Sequence, residues 1–111
     1  MVQKPEDNIA QVDVYHAIAD PTRRGLLDLV AHTEQPVKML AQAFEMSRPA
    51  ISQHLRILKQ AGLVVERKVG REHLYRLQAD PLHEVSDWVQ HYERFWSERL
   101  ELLGEHLDTM P

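Results

Sequence analysis

Residues 47–62 constrain the fold most, because they carry the signals of one amphipathic helix with both of its ends marked. Ser47 is a favourable N-cap, and Pro49 fits the first turn, where no helix hydrogen bond needs its missing N–H. Gly62 suits the left-handed residue that follows a helix C-terminus. Apolar residues recur at helical spacing and predict a buried stripe that consists of Ile51, Leu55 and Leu58.

The opposite side of this helix is polar and basic, and it presents Arg48, Ser52, Gln53, Arg56, Lys59 and Gln60. Arginine can donate in pairs to guanine, and glutamine can pair with adenine. A shorter helical segment, from about residue 36, ends at the tight turn Phe44–Ser47. Two helices joined in this way predict a helix-turn-helix, whose second helix enters the major groove of DNA. An ordinary helical hairpin with a solvated polar face is the alternative that the two helices leave open.

A β-hairpin is predicted after this helix, because two β-prone runs, Leu63–Val69 and Glu72–Leu77, flank the turn Gly70–Arg71. Basic residues cluster near the hairpin tip, namely Arg67, Lys68 and Arg71. Such a hairpin could lie along the DNA backbone or in the minor groove as a wing.

Three further helices are expected. The first covers about residues 9–19, and the second runs from Pro21 to His32 with Asp20 as its N-cap. The third follows Asp80–Pro81 and covers about residues 81–106. Apolar residues of the last helix follow a spacing of 3, 4, 3 and 4, which is typical of a coiled-coil seam. The predicted fold is mainly α with a small β-hairpin. It is a winged helix-turn-helix of about five helices and a two-stranded wing, in a single domain of residues 1–111, with the reading motif at about 36–61 and the wing at about 63–77.

Charge is distributed unevenly along the chain. The net charge of −4 argues mildly against a nucleic-acid partner. Residues 47–76, however, carry +5, whereas residues 1–46 carry −3 and residues 77–111 carry −6. A basic middle between acidic ends indicates a local phosphate footprint, although a solvated basic face accounts for it equally well when it is taken alone.

Several classes of protein are disfavoured. The chain has no cysteine, which excludes disulfides and thiolate chemistry. It has no glycine-rich phosphate loop and no carboxylate pair in a plausible cleft, so an enzyme is not expected. Ser52 and His54 are two residues apart on a helix and cannot face each other as nucleophile and base. The first ten residues lack an apolar run and no stretch approaches about 18 apolar residues, so neither a signal peptide nor a membrane span is expected.

Three segments resemble the ArsR (arsenic-repressor-like) family of bacterial regulators. The run Ser47–Val64, with the sequence SRPAISQHLRILKQAGLV, closely resembles the recognition helix of the family. Ala17–Arg24 looks like the entry into its second helix, and Gly70–Leu77 looks like its wing. The resemblance covers roughly residues 9–108. It implies a cytoplasmic, dimeric winged-helix protein that represses its own operon and leaves DNA when a signal arrives.

The resemblance also implies that the first and last helices, at about residues 9–19 and 81–106, pair across a homodimer, in agreement with the apolar seam. The residues expected at this interface are Ile9, Val12, His16, Leu82, Val85, Val89, Tyr92, Trp96 and Leu103.

Many members of the family sense metals. One family site, a Cys-x-Cys pair, would fall at Pro36 and Lys38, and it is therefore absent. His83, Asp87 and His91 share one face of the last helix and are a weak zinc candidate, because their spacing does not match the family pattern. No metal or other cofactor is expected, and the chain looks more like the metal-independent branch. The last helix carries large apolar residues that either pack or line an effector pocket, namely Trp88, Tyr92, Trp96 and Leu100. Packing is the expected role.

The sequence therefore predicts a dimeric, sequence-specific DNA-binding regulator, a repressor that binds a double-stranded operator. Base reading is expected from Arg48, Ser52, Gln53 and Arg56. Contacts to phosphate and through the wing are expected from Ser47, His54, Lys59, Lys68 and Arg71, and Pro49 belongs to the same DNA-binding segment. One alternative is a winged-helix adaptor, which would be expected to show apolar residues on the reading helix. A metal-responsive repressor that uses its last helix is the other.

Overall fold

The computed structural model describes residues 12–108, and the side chains of residues 12–104. The described chain contains six helices and three strands. In chain order they are α1 (Val14–Ile18), α2 (Pro21–His32), β1 (Gln35–Pro36), α3 (Val37–Phe44), α4 (Arg48–Gln60), β2 (Val64–Val69), β3 (Glu72–Leu77), α5 (Leu82–Gln90) and α6 (Glu93–Asp108). None of the helices in this part of the chain has the length and apolar character that crossing a membrane requires.

Helix ends follow the predicted local chemistry around the helix-turn-helix. At the start of α2, Asp20 Oδ2 accepts a hydrogen bond from the Arg23 backbone N–H at 3.0 Å. At the start of α4, Ser47 Oγ accepts from the Ala50 N–H at 3.2 Å. Gly62 follows α4 with φ 77°, and the N–H of Leu63 donates to Leu58 O at 2.9 Å. Caps of this kind satisfy orphan backbone groups, and all three predicted signals are confirmed.

The turn between α3 and α4 depends on one residue in the left-handed region. Glu45 has φ 53° and follows the last residue of α3. The N–H of Met46 then donates to Ala41 O at 3.1 Å, which closes the end of α3. As a result α4 begins only a few residues later, at Arg48, and the two helices form the predicted helix-turn-helix.

The sheet has three antiparallel strands in the order β1-β3-β2. Val69 pairs with Glu72 across the two-residue turn Gly70–Arg71, where Gly70 has φ 62°. Glycine at the first turn position is what a type II′ hairpin turn requires. The wing is therefore the predicted hairpin, but β1 adds a third strand through the pairs Gln35–Tyr75 and Pro36–Leu74. Two residues are too short for an alternation pattern to be visible in the sequence.

The core lies between α2, α3, α4 and the start of the sheet. Its fully buried large side chains are Leu26, Leu40, Ile51, Leu55, Leu58 and Leu63. The predicted stripe of α4 is confirmed, because all three of its members have no exposed surface. Burying one side of α4 holds the helix rigidly and turns its other side to solvent.

The C-terminal region differs from the prediction of one helix over residues 81–106. The chain forms α5 and α6, separated at His91–Tyr92, where N–H groups donate three residues back instead of four. The ring of Tyr92 packs edge-on against Trp88, with 5.6 Å between centroids. The apolar spacing continues across this break, so periodicity alone cannot reveal it. Asp80 also does not cap α5, whose N-cap residue Pro81 makes no side-chain cap hydrogen bond.

The first predicted helix is also corrected within the described residues. It begins at Val14, where Asp13 Oδ1 accepts from the His16 N–H at 2.7 Å. Ile9 lies outside the described residues. The count of about five helices and a two-stranded wing thus becomes six helices and a three-stranded sheet in residues 12–108.

Candidate nucleic-acid interface

The solvent side of α4 gathers the residues predicted to read bases. Arg48, Ser52, Gln53 and Arg56 are all exposed. Pro49, Ser52, Gln53 and Arg56 line a shallow concavity along the helix. The buried stripe on the other side of α4 anchors these side chains to the core. The result is a rigid helix surface rich in hydrogen-bond donors, which is what major-groove recognition uses.

The N-terminus of α4 is exposed at Ser47. The oxygen of its hydroxyl already accepts the capping bond from the Ala50 N–H. Its own O–H remains a donor, because a hydroxyl can accept and donate at once. Ser47 thus combines a structural cap with a donor placed where backbone N–H groups attract anions.

His54 does not lie on the basic face of α4. Successive helix residues are about 100° apart, so His54 lies about 160° around the axis from Arg56. It is half-buried, and its Nδ1 accepts from Arg23 Nη1 at 3.3 Å. An arginine only donates, so this contact leaves the ring proton of a neutral His54 on Nε2. His54 is thus turned toward Arg23, and its predicted contact to phosphate stays a prediction.

Arg23 is itself buried and joins three helices. Its Nε donates to Ala17 O at 2.8 Å and its Nη2 to His16 O at 3.1 Å, at the C-terminal end of α1. Its Nη1 reaches His54 on α4. The Arg23 backbone N–H and guanidinium hold the pKa of the Asp20 carboxyl below its usual value. This network connects α1, α2 and the reading helix.

Glu66 accepts three hydrogen bonds beneath the wing. Lys59 Nζ at the end of α4 donates to Oε1 at 2.7 Å. Tyr75 donates its hydroxyl to Oε2 at 3.0 Å, and His73 Nδ1 lies 2.6 Å from the same oxygen. The hydrogen bond from Lys59, followed by those from Tyr75 and His73, lowers the pKa of Glu66 to about 2. Burial, together with the Glu66 carboxylate, raises the pKa of Tyr75 to about 12.

Two more ion pairs lie on the outer side of the wing. Glu34, just before β1, accepts from Arg67 Nε at 2.7 Å and from Arg67 Nη2 at 2.8 Å. This pairing lowers the pKa of Glu34 and raises that of Arg67. Lys38 on α3 pairs with Glu72 at 3.0 Å. Arg67 is therefore engaged within the fold.

Near the hairpin tip, Lys68 and Arg71 are the two cations that the sequence predicts as DNA contacts. Both are exposed, and neither makes an ion pair with any residue of the described chain. They form a second basic area at the hairpin tip, separate from the basic face of α4.

An apolar surface occupies α5 and α6. Trp88, Trp96 and Leu103 are each more than half exposed, at 52%, 54% and 54%. A cleft on this surface is lined by Trp88, Val89, Tyr92, Phe95 and Trp96. Tyr15 of α1 extends the aromatic row, since its ring is 5.8 Å from that of Trp88.

The residues predicted for a dimer interface divide into two groups. Val12, Leu82 and Val85 pack partly against the core of their own chain. The exposed ones are His16, Tyr92, Trp96 and Leu103, whereas Val89 is half-buried. An interface would therefore centre on the aromatic cleft and on α6.

The weak metal candidate does not form a site within the described chain. His83, Asp87 and His91 are all exposed, and His91 lies in the break after α5. No group of three histidine, aspartate or glutamate side chains among the described residues is placed to hold a metal ion.

Several important residues were not singled out from the sequence, namely Asp20 as a partner of Arg23, Arg23 itself, Glu34, Glu66 and Tyr75. A signal for Glu66 existed, because only Glu66 and Glu72 interrupt the basic segment of residues 47–76. The predicted turn at Gly70–Arg71 also implies a register that sets Glu66 opposite Tyr75, as observed. The long-range contacts of Arg23 leave no comparable pattern.

A buried helix stripe, an exposed basic reading face and a hairpin with cations near its tip define a winged helix-turn-helix regulator. A model of the bacterial regulatory protein, arsR family, matches residues 20–66. The chain is 36% identical over 95 residues to the HTH-type transcriptional regulator Rv2034 of Mycobacterium tuberculosis, covering 86% of each chain. It is 36% identical over 80 residues to the transcriptional repressor SdpR of Bacillus subtilis, covering 72% of this chain and 89% of that one. The chain belongs to the ArsR family.

Solved structures agree with this assignment. The ArsR-like transcriptional regulator from Rhodococcus sp. RHA1 superposes with a TM-score of 0.68 at 28% identity, covering 98% of this chain and all of that one. The expected family and winged-helix fold are confirmed.

Proposed function

We propose that this chain is a repressor that binds a specific DNA operator through α4. The observation that carries the proposal is the contrast between the two sides of this helix. Ile51 and Leu55 are completely buried, while Arg48, Gln53 and Arg56 are exposed. An adaptor protein would need an apolar surface on that side, and the exposed side has none. The names of relatives, several of them transcriptional repressors, support the same function.

The proposed division of labour follows exposure. Arg48, Ser52, Gln53 and Arg56 read base edges, since their side chains extend from the solvent side of α4. Ser47 and the adjoining Pro49 lie at the helix N-terminus near phosphate. Lys68 and Arg71 contact the backbone or minor groove from the wing. The acidic segments on either side confine the attraction for phosphate to residues 47–76.

We further propose that the repressor is a homodimer joined through the aromatic cleft and α6. Exposed tryptophan, phenylalanine and leucine side chains on one surface are typical of a protein interface. A two-fold dimer presents two copies of α4, which fit half-sites about one helical turn apart on the same side of DNA. Such an operator is a near-palindrome. Because bacterial regulators of this family act on DNA, we place the protein in the cytoplasm.

Regulation in this proposal does not use a metal. Pro36 and Lys38 cannot bind a soft metal, and His83, Asp87 and His91 form no three-ligand group in the described chain.

Substitution of Arg56 tests the reading function. Arg56→Ala is expected to weaken operator binding by about 1–3 kcal/mol and to relax sequence preference at one base pair, as loss of a paired contact to guanine does. Arg76→Ala is the matched control, because Arg76 is exposed but lies on the sheet face opposite to that of Tyr75 and Glu66. Equal effects of the two substitutions on operator and scrambled DNA would contradict the assignment.

A further inference from the structure

We propose that Glu66 is a positioning residue that locks the wing to the end of the reading helix, and that Lys59 serves this anchor instead of contacting phosphate. The proposal rests on the proposed function, because it concerns how the two DNA-contacting elements are held relative to each other. It changes the role expected for Lys59 from the sequence.

The anchor joins elements that the chain otherwise connects only through a short link. Lys59 is the penultimate residue of α4, and Glu66 is the third residue of β2. Lys59 Nζ lies 2.7 Å from Glu66 Oε1, while Oε2 takes the hydroxyl of Tyr75 at 3.0 Å. His73 Nδ1, 2.6 Å from Oε2, adds a contact to the outer half of β3. One carboxylate therefore holds α4, β2 and β3 together.

The hydrogen bond from Tyr75 to Glu66 is the most shielded of the three contacts. The side chain of Glu66 is 20% exposed, and Tyr75 is 9% exposed. Hydrogen bonds to an ionised group are shorter and about twice as strong as neutral ones, and low solvent exposure strengthens them further. Lys59 is half-exposed, but its ammonium is already engaged by this partner.

The position of the wing tip depends on the orientation of the hairpin at Glu66, because the tip lies far from this contact. Arg71 is five residues beyond Glu66, or about 16 Å at the usual rise of about 3.3 Å per strand residue. A rotation of about 10° at Glu66 therefore moves the tip by about 3 Å. This displacement is as long as a hydrogen bond, so an unanchored wing would lose its phosphate contacts.

Simple electrostatics makes the opposite prediction. A carboxylate inside a basic DNA-binding segment repels phosphate, so removing its charge should strengthen binding to any DNA. The anchor predicts that removing the Glu66 charge weakens binding to the operator. The sign of the effect separates the two accounts.

The experiment compares Glu66→Gln, Lys59→Met and Tyr75→Phe with the control Glu72→Gln, in anisotropy titrations against operator DNA at several salt concentrations. Glu72 is a control for the loss of one carboxylate charge, since it lies in the same hairpin and its ion pair with Lys38 is half-exposed on both sides, where such a pair contributes little stability. Glu66→Gln is expected to weaken operator affinity by about fivefold, in the range that coupling within one hydrogen-bond network supplies, whereas Glu72→Gln does not weaken it. Lys59→Met should leave the salt slope unchanged, and Lys59→Arg should restore affinity.

Hydrogen exchange of the wing amides in the DNA-free protein provides a readout that does not depend on DNA. Glu66→Gln and Lys59→Met are expected to speed exchange across β2 and β3 while the helices keep their protection. Unchanged exchange in the wing would overturn the anchor, whether or not the wild-type chain binds DNA. Absence of DNA binding by the wild-type chain would overturn the repressor function instead, and would leave the anchor to be judged by exchange alone. Tighter binding by Glu66→Gln, or a salt slope about one unit smaller in Lys59→Met, would also overturn the anchor.

Discussion

The guanidinium of Arg23 lies 3.3 Å from Nδ1 of His54 and connects α2 to the inner side of the reading helix. Arg23 also donates to the last carbonyls of α1, so one buried side chain ties the reading helix to the helix that borders the aromatic surface. His54 serves this connection as an acceptor.

Substituting His54 tests whether it positions α4 or contacts phosphate. His54→Leu removes the acceptor and leaves a buried donor of Arg23 unsatisfied, which is expected to cost about 1–3 kcal/mol in the free energy of unfolding. His54→Asn keeps an acceptor near the position of Nδ1 and should retain most of the stability and the DNA affinity. Chemical denaturation and DNA titration measure the two quantities. A stable His54→Asn protein with a smaller salt slope would instead identify a phosphate contact.

Protonation of Glu66 at low pH should remove the stabilisation that its carboxylate provides. The folded pKa of Glu66 is about 2, below its ordinary value of 4.5. A lowered folded pKa means that the stabilisation is complete above pH 4.5 and is lost as the pH falls toward 2. The difference in unfolding free energy between wild type and Glu66→Gln is therefore expected to shrink as the pH falls below about 5. A difference that grows as the pH falls from about 5 toward 2 would refute the ionised anchor.

The apolar surface of α6 makes the dimer testable. Leu103 is 54% exposed and faces the same way as Trp96, which lies seven residues, or about two helical turns, earlier. Leu103→Glu is expected to convert a dimer into a monomer in analytical ultracentrifugation, because it buries a charge in the proposed interface. Operator affinity should also fall, because a monomer binds only one half-site at a time.

Glu98→Gln on the opposite side of α6 is the control and should leave the dimer intact. A wild-type chain that sediments as a monomer at micromolar concentration would count against the proposed assembly.

Local signals explain why much of the fold could be predicted. Caps at Asp20 and Ser47, the glycine after α4 and the apolar stripe of α4 act over a few residues, and the sequence displays them directly. The break at His91–Tyr92 was missed because the apolar spacing continues across it without interruption. Strand β1 was missed because its two residues become a strand only by pairing with β3.

The exposed face of the candidate site could be predicted from the sequence, but the partners of its charged residues could not. Exposure of Arg48, Ser52, Gln53 and Arg56 follows from helix periodicity, because their positions oppose the buried stripe. The partners of Lys59, His54 and Arg67 lie seven, thirty-one and thirty-three residues away. Their charge alone suggested that these side chains could contact DNA. Only the fold shows which of them pair with groups of their own chain.

The most direct test of the central claim is a titration of the wild-type protein against DNA from upstream of its own gene, with scrambled DNA beside it and salt as the variable. The account predicts tight binding to the upstream DNA, weaker binding to the scrambled DNA, and a log-log decrease of affinity with salt for both. Affinity that is equal on both DNAs, or absent on both at low salt, would contradict sequence-specific repression through α4.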